Sequence, residues 1–294
     1  MNVKNVCGVP MGGLPGESPA LLVGSMFFDR QKLVKDAKTG RFDHTAAKEL
    51  LKLQDKWSET TGNPACVDVI GSTPDAIRRY LDFIIEHFDG PIMVDGSDAD
   101  VKIAGVRHMA ECNMIHRTIY NSISPETVEG ELDAIAECGV KSAVILAVSS
   151  TDFSTDGKID LLEKPDGLIA KANACGIENC MVDPGVIDLL SVGTVKSVMA
   201  AVKEMDHFTG SAPHNAMGTW PGLNEKLGTD FRKPATAVLN ALPIAWGADF
   251  VIYGPLNLAP VVFPAAAMVD VILSQALMEA GQVPDSSHPM FKIA

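Results

Sequence analysis

Four polar residues follow short apolar runs of the chain, and their side chains are suited to hold a planar heterocycle. They are Asp95, Asn121, Asp183 and Asn215. A carboxylate accepts two N–H bonds from a guanidine-like edge, and an Asn amide both donates and accepts. Taken singly, an Asp before Gly or Pro is also a common turn former or helix N-cap. Together, the four predict a site for a flat, nitrogen-rich ligand.

Five further polar residues stand at similar positions and are secondary candidates for the same site. They are Ser97, Ser122, Ser149, His214 and Tyr253. No lysine stands at the ends of these runs, so we expect no Schiff-base nucleophile. The seven histidines are dispersed along the chain, and His214 has no partner at metal-ligand spacing. We therefore expect no metal bound by this chain.

Eight apolar runs, each bounded by Gly, Pro, Ser, Asn or Asp, are predicted to be the strands that position these residues. They are Ala20–Phe28, Ala65–Ile70, Pro91–Asp95, Ile115–Tyr120, Ser142–Val148, Asn179–Asp183, Phe208–Pro213 and Ala248–Tyr253. Helical patterns separate them, for example Thr45–Thr60, Thr73–Phe88 and Ser124–Cys138, the last with Ser124 as N-cap and Gly139 as stop.

This alternation predicts the α/β class and a (β/α)₈ barrel with a short N-terminal extension, in one domain over residues 1–294. In such a barrel the carboxyl ends of the strands meet at one mouth, so the polar residues would converge there. A doubly wound open sheet is the alternative. It would usually carry a glycine-rich phosphate turn, and the sequence has no GxGxxG and no P-loop lysine.

Composition excludes some classes of function. The chain has 294 residues, with 24 Lys+Arg against 37 Asp+Glu and a net charge of −13, and it lacks the basic face that nucleic acid requires. Its most apolar stretch, 256–278, contains Pro260, Pro264 and Asp270, which argues against a membrane-spanning helix. The six cysteines form no CxxC pair, and reduced thiols in a cytoplasmic protein are expected.

Five stretches carry a family resemblance that spans nearly the whole chain in the same order. They are Gly13–Pro19, Arg117–Ser124, Met181–Pro184, Gly210–Asn215 and Asp249–Pro255. They resemble the family of the H subunit of tetrahydromethanopterin S-methyltransferase. Its bacterial relatives move a methyl group between a corrinoid protein and tetrahydrofolate, as in glycine betaine demethylation. The Pro-Gly-Glu and Tyr-Gly-Pro elements are the most specific parts of the resemblance.

The resemblance implies a pterin-binding barrel, similar to corrinoid/iron–sulfur protein methyltransferases and dihydropteroate synthases. In that wider group the pterin is held by an Asp after the third strand, an Asn after the fourth, an Asp after the sixth and an Asn after the seventh. The matching residues are Asp95, Asn121, Asp183 and Asn215. Asn215 would reach N5 of the pterin, with Asp95 as the second catalytic residue. Gly96 and Asn257 depart from the family's pattern.

The activity implied is methyl transfer from methylcob(III)alamin to N5 of tetrahydrofolate, giving 5-methyltetrahydrofolate and cob(I)alamin. The cobalamin would be carried by a transient corrinoid protein partner, because this sequence lacks the Asp-x-His-x-x-Gly motif. A homodimer is expected from the wider group. Arg78, Arg117 and Arg232 are expected to offset the anionic glutamate tail of the folate.

Three other interpretations stay open. One is a tetrahydromethanopterin-dependent subunit of a membrane-associated complex, which the lack of a spanning segment would not exclude. Another is a non-catalytic pterin-binding subunit. The third is a reaction like that of dihydropteroate synthase, which would need a lysine or arginine set at the mouth for pyrophosphate.

Overall fold

Twelve β-strands are present in the computed structural model, which describes residues 2–294, and eight of them close into a parallel barrel. In chain order they are β1 (Lys4–Val6), β2 (Val9–Met11), β3 (Leu21–Met26), β4 (Val34–Asp36), β5 (Arg41–Phe42), β6 (Ala65–Gly71), β7 (Ile92–Gly96), β8 (Thr118–Ile123), β9 (Ser142–Leu146), β10 (Asn179–Asp183), β11 (Phe208–Ser211) and β12 (Phe250–Pro255). The barrel order is β3-β6-β7-β8-β9-β10-β11-β12, and β12 pairs back onto β3. The predicted barrel is confirmed, and each predicted strand overlaps an observed one.

The helices lie between and around the barrel strands. In chain order they are α1 (His44–Thr61), α2 (Pro74–His87), α3 (Ala99–Glu111), α4 (Glu129–Cys138), α5 (Thr155–Glu163), α6 (Leu168–Ala174), α7 (Val192–Glu204), α8 (Asn215–Gly218), α9 (Leu223–Leu227), α10 (Arg232–Ala245), α11 (Ala259–Glu279) and α12 (Met290–Ile293). The side chains of Asp43 and Thr73 accept backbone N–H bonds at the starts of α1 and α2. These caps explain why both helices begin within a residue of their predicted starts.

The start predicted for the helix after β8 was wrong. Ser124 begins a separate turn, in which its backbone N–H donates to Thr127 Oγ1 and its carbonyl oxygen accepts from Thr127 N. The helix begins at Glu129, where Glu131 accepts a hydrogen bond from Val128 N. Its predicted end is confirmed, since Gly139 adopts the left-handed conformation there.

The interior of the barrel is apolar near the amino ends of the strands. One cluster of buried side chains fills this layer, with contributions from the barrel strands and from the N-terminal hairpin of β1 and β2. Its members are Val6, Val9, Met11, Leu21, Val23, Cys66, Met93, Ile119, Val144, Met181, Phe208 and Phe250. The N-terminal extension thus plugs the amino end of the barrel, which leaves the carboxyl end as the open mouth.

The helix α11 is the most apolar helix of the chain and packs along α10 and α1. Together with the turn before it, over Leu256–Glu279, it is long and apolar enough to cross a membrane by length and composition, and 39% of its most apolar window is buried inside the protein. Pro264 does not interrupt it. Asp270, near its middle, is buried and accepts hydrogen bonds from Asn63 Nδ2 (2.6 Å) and Ala20 N (3.3 Å).

Candidate functional site

The polar site lies on the carboxyl-end side of the apolar cluster inside the barrel. There the side chains that point into the barrel carry carboxyl and amide groups. Asp68 lies on β6 and Asn121 on β8, with β7 between these two strands in the barrel. Asn121 Nδ2 nevertheless donates to Asp68 Oδ1, at 3.3 Å. A bond that passes over the intervening strand requires both side chains to point into the barrel. Asn121 therefore points into the barrel, at the mouth where the sequence places it.

Asp68 is at the centre of this hydrogen-bond network, although the sequence had not singled it out as a site residue. Its Oδ2 accepts from Ser25 Oγ (2.8 Å), and the side chain is almost fully buried. Burial raises the pKa of Asp68 to about 6, against the hydrogen bonds from Ser25 and Asn121, which lower it. A carboxylate inside a buried apolar strand was the available signal, because such a group must have polar partners.

Asp95 lies on β7, between the strands of Asp68 and Asn121, and is half-buried. It accepts a hydrogen bond from Gly96 N (2.6 Å). Burial and the nearby charge of Asp68 raise its pKa well above the usual range. Two carboxyl groups so close together in a desolvated site disfavour the doubly ionised state. Protonation of one of the two carboxyl groups is therefore favoured over ionisation of both.

Asp183 ends β10 and is buried. Its Oδ1 accepts from Gly185 N (2.7 Å), which leaves Oδ2 free of hydrogen bonds from the described residues. Burial raises its pKa to about 6, and the charge of Lys158 acts in the opposite direction. The carboxylate is thus held rigidly at the mouth with one oxygen available to a ligand.

Two buried or half-buried lysines accompany these carboxylates, and the sequence did not predict either. Lys158 of α5 is buried, donates to the carbonyl oxygen of Pro184 and lies within electrostatic reach of Asp183. Lys102 of α3 contacts Glu131 Oε1 at 2.6 Å, and Tyr120 donates to the same oxygen. Both lysines stand on helices after the strand ends, so inspection of strand ends alone could not find them.

Three arginines were predicted to lie near the mouth, and for Arg117 this prediction was wrong. Arg117 lies just before the amino end of β8, where its guanidinium donates to the carbonyl oxygens of Phe88 and Gly90. It faces the opposite end of the barrel from the site. Arg78 is on the first turns of α2, paired with Asp75, and Arg232 begins α10, where it donates to Asn224.

Asn215 and His214 follow β11, on the mouth side as predicted. Asn215 begins the short helix α8 and is exposed, and its side chain makes no hydrogen bond within residues 2–294. The ring of His214 packs on Gly254, where a Cβ would lie 2.5 Å from His214 Cδ2. Burial and the charge of Arg232 lower the pKa of His214, and its Nδ1 is buried without a partner among the described residues.

The remaining secondary candidates divide between the mouth and the outer layer. Tyr253 was wrongly predicted as a mouth residue. It follows the inward-facing Ile252, so it points outward, packs on Phe263 and donates to Gln54 Oε1 (2.5 Å). Ser97, Ser122 and Ser149 do lie in or after β7, β8 and β9. Ser149 Oγ accepts from the N–H groups of Thr151 and Asp152, which is a turn-forming role.

A small cavity of about 250 Å³ is lined by Lys158 and by Gly185, two residues after Asp183. Its other walls are mostly apolar and come from the loops after β9 and β10, including Val148, Phe153 and Ile187. The mouth therefore has polar side chains inside the barrel and partly apolar loops around them.

One group of potential metal ligands lies outside the mouth. His108 Nε2 is 2.7 Å from Asp82 Oδ1 and 3.7 Å from Cys112 Sγ, on and just after the outer helices α2 and α3. Asp82 is exposed, and its contact with His108 is an ordinary ion pair when the imidazole is protonated. The dispersed histidines of the chain did not indicate this contact, because it joins two different helices.

Solved structures with the same fold include proteins that bind pterins. A dihydropteroate synthase from Yersinia pestis with a pterine–sulfa conjugate superposes with a TM-score of 0.63 at 13% identity, over 95% of this chain and 98% of the other. The enzyme from Xanthomonas albilineans in complex with 7,8-dihydropteroate gives 0.58 at 13% identity, over 97% and 100%. At these identities the likeness establishes the barrel fold alone.

Sequence relatives are much more similar. The H subunit of a putative methyltransferase, mtx, of Methanosarcina barkeri is 35% identical over 98% of this chain and 96% of its own length. The H subunit of tetrahydromethanopterin S-methyltransferase of Methanopyrus kandleri is 35% identical over 98% and 95%. A family model described as the tetrahydromethanopterin S-methyltransferase MtrH subunit matches residues 1–284. The chain therefore belongs to the MtrH family of methyltransferase subunits.

Proposed function

We propose that the protein transfers a methyl group from a methylated corrinoid protein to N5 of a reduced pterin held in the barrel mouth. The observation that carries this proposal is the group of Asp95, Asn121 and Asp183 on the inner side of the mouth, at the carboxyl ends of three barrel strands. Membership of the MtrH family and the pterin ligands of the dihydropteroate synthase structures support the same ligand class.

The pterin ring offers the hydrogen-bonding groups that this arrangement can satisfy. In the proposal, both oxygens of Asp183 accept from the 2-amino group and the adjacent ring N–H in a bidentate contact, and Oδ1 keeps its bond from Gly185 N. Asn121 and Asp95 contact the other ring nitrogens and the carbonyl. Asn215 reaches N5, where a neutral amide can adapt its contact as N5 gains or loses a methyl group or proton.

The reaction is a displacement at the methyl carbon. The N5 lone pair attacks that carbon while the cobalt–carbon bond breaks and its electron pair stays on the corrinoid, which becomes cob(I)alamin. The secondary amine at N5 then loses its proton. The protein contributes alignment of the reactants and hydrogen bonds to the pterin. The carboxyl pair Asp68 and Asp95, whose pKa values are raised by burial, is the group proposed to exchange that proton.

The corrinoid is proposed to arrive on a separate partner protein, in a transient complex. Apolar side chains exposed at the mouth support such docking: Phe153 is 49%, Ile187 48% and Leu190 86% exposed, on the loops after β9 and β10. Small exposed apolar patches beside polar sites are typical of surfaces that contact other proteins. A homodimer and a cytoplasmic location complete the proposal.

Tetrahydrofolate is the proposed methyl acceptor, on the strength of the motif resemblance to bacterial relatives. Tetrahydromethanopterin is the second candidate, and the names of relatives at 32–35% identity favour it. Both compounds present the same pterin edge to the proposed ligands, so the mouth residues alone do not discriminate between them.

The test is a paired assay in which the protein is incubated with methylcobalamin and either pterin, and cob(I)alamin formation is followed by absorbance. We expect turnover with tetrahydrofolate. Turnover with tetrahydromethanopterin alone would replace the proposed acceptor and keep the reaction. No turnover with either pterin, together with no pterin binding by calorimetry, would overturn the proposal.

A further inference from the structure

We propose that Asp68 is a positioning residue that orients the Asn121 amide so that its oxygen, and not its nitrogen, faces the bound pterin. This inference rests on the proposed pterin site and adds a residue to it. It depends on the hydrogen bonds that join Ser25, Asp68 and Asn121 across the barrel mouth.

The chemistry of an ionised carboxylate determines which end of the amide turns toward it. Asp68 Oδ1 can only accept hydrogen bonds when ionised, so it must face the Asn121 Nδ2 donor, 3.3 Å away. The reverse orientation would bring the amide oxygen against a carboxylate oxygen. Asn121 Oδ1 is therefore directed away from Asp68, and no donor within residues 2–294 bonds to it.

The other carboxylate oxygen of Asp68, Oδ2, also accepts a hydrogen bond. Ser25 Oγ donates to Asp68 Oδ2 at 2.8 Å, and both side chains are buried. Asp68 thus has one donor on each oxygen and little freedom to rotate. Asn121 itself is half-buried at the mouth, where its free oxygen would meet a ligand.

This orientation makes Asn121 an acceptor for a ring N–H of the pterin. A pterin offers several N–H donors along one side, and Asp95 and Asp183 are also acceptors when ionised. The mouth would then select ligands rich in donors and disfavour rings that present only acceptors, because unpaired acceptors in a buried site are costly. Protonation of Asp68 would release the constraint, since a neutral carboxyl can donate to Asn121 Oδ1.

A double-mutant cycle tests whether Asp68 acts through Asn121. The dissociation constant for tetrahydrofolate, and in parallel for tetrahydromethanopterin, is measured by calorimetry at pH 8 for the wild type, Asp68→Asn, Asn121→Ala and the double variant. We expect Asp68→Asn to weaken binding about tenfold in the wild-type background, because an amide at position 68 can donate to Asn121 Oδ1 and so turn that oxygen away from the pterin. In the Asn121→Ala background the same change should alter binding less than about twofold.

The matched control is Asp270→Asn. Asp270 is also a buried aspartate bonded to an Asn amide, Asn63, but it lies on α11, outside the barrel interior. It should leave pterin binding within about twofold of the wild type. If Asp68→Asn does not fold, Ser25→Ala removes one of the two donors to Asp68 and should show the same dependence on Asn121.

Each outcome of the cycle is decisive. Equal losses from Asp68→Asn in both backgrounds would overturn the inference and leave Asp68 as a structural residue between strands. No loss in the wild-type background, with the wild type binding pterin, would overturn it while the proposed function stands. A wild type that binds neither pterin would overturn the proposed function itself, and this inference with it.

Discussion

Asn215 is the most exposed of the four predicted pterin ligands, and its side chain has no hydrogen bond within the described residues. A residue with no structural role can be changed with little effect on folding. We expect Asn215→Ala to lower the rate of methyl transfer roughly a hundredfold, as for removal of one stabilising donor at a reacting centre, with less than about threefold effect on pterin affinity.

Single-turnover formation of cob(I)alamin and calorimetric pterin binding measure the two quantities separately. Asn173→Ala, an exposed Asn on the outer helix α6 whose side chain also makes no hydrogen bond within residues 2–294, is the control and should leave the rate unchanged. Equal losses in rate and affinity for Asn215→Ala would show that this residue only binds.

Asp183 makes pterin binding depend on pH. Burial raises its pKa to about 6, so the carboxylate loses its charge as the pH falls through that value. The ionised form is the acceptor for the pterin amino group, and affinity should therefore fall below pH 6, by at most about tenfold per pH unit for this group. Titration of binding between pH 5 and pH 8 checks this.

Asp183→Asn should bind more weakly at pH 8 and lose the part of the pH dependence that Asp183 contributes. Asp68, whose pKa is also raised to about 6 by burial, would account for what remains. An identical pH profile in the wild type and in Asp183→Asn would contradict the assignment of Asp183 as the charged ligand.

At the scale of elements, the Tyr-Gly-Pro motif of β12 packs against His214, next to the proposed site. Gly254 has a φ of +88°, and a Cβ there would lie 2.5 Å from the His214 ring. Gly254→Ala should therefore lower the free energy of unfolding by about 1–3 kcal/mol through the clash and the backbone strain together. Denaturant unfolding monitored by circular dichroism measures this loss.

Gly139 provides the comparison, because it has a φ of +71° and a Cβ at this position would meet no atom within 4 Å. Gly139→Ala should carry the backbone strain without the clash and should be milder. Equal destabilisation by the two substitutions would show that the contact between Gly254 and His214 contributes little.

Some elements were predicted accurately from the sequence, and others were not. Strand positions followed from buried apolar runs, and α1 and α2 from local caps, because both depend on neighbouring residues. The start of α4 was mispredicted because the turn that begins at Ser124 does not continue as a helix, and α4 starts only at Glu129. Lys158 was missed because its approach to Pro184 depends on where the fold places α5, which packs against α6 and α7.

At the scale of the whole molecule, Asp270 connects the last long helix to the first two barrel strands. Its carboxylate on α11 accepts from Ala20, just before β3, and from Asn63, just before β6. Burial raises its pKa to about 7, so the folded protein holds a proton here that the unfolded chain has released. The contribution of Asp270 to stability should fall as the pH rises from about 4 to about 7, by roughly 1.4 kcal/mol per pH unit.

The difference in unfolding free energy between the wild type and Asp270→Asn isolates this contribution, since the Asn side chain does not titrate. That difference should fall across the window and become constant above about pH 7. A difference that rises with pH would show that ionised Asp270 stabilises the fold, contrary to the burial of its charge.

The barrel, the family and the place of Asp95, Asn121 and Asp183 at the barrel mouth could all be predicted from the sequence. Alternation of apolar runs and strand-end positions suffices for these, because parallel strands in a barrel bring their carboxyl ends to one mouth. The hydrogen bond of Asn121 to Asp68 and the approach of Lys158 to Asp183 could be learned from the folded structure alone. Those facts depend on contacts between segments far apart in the chain, and no local pattern encodes them.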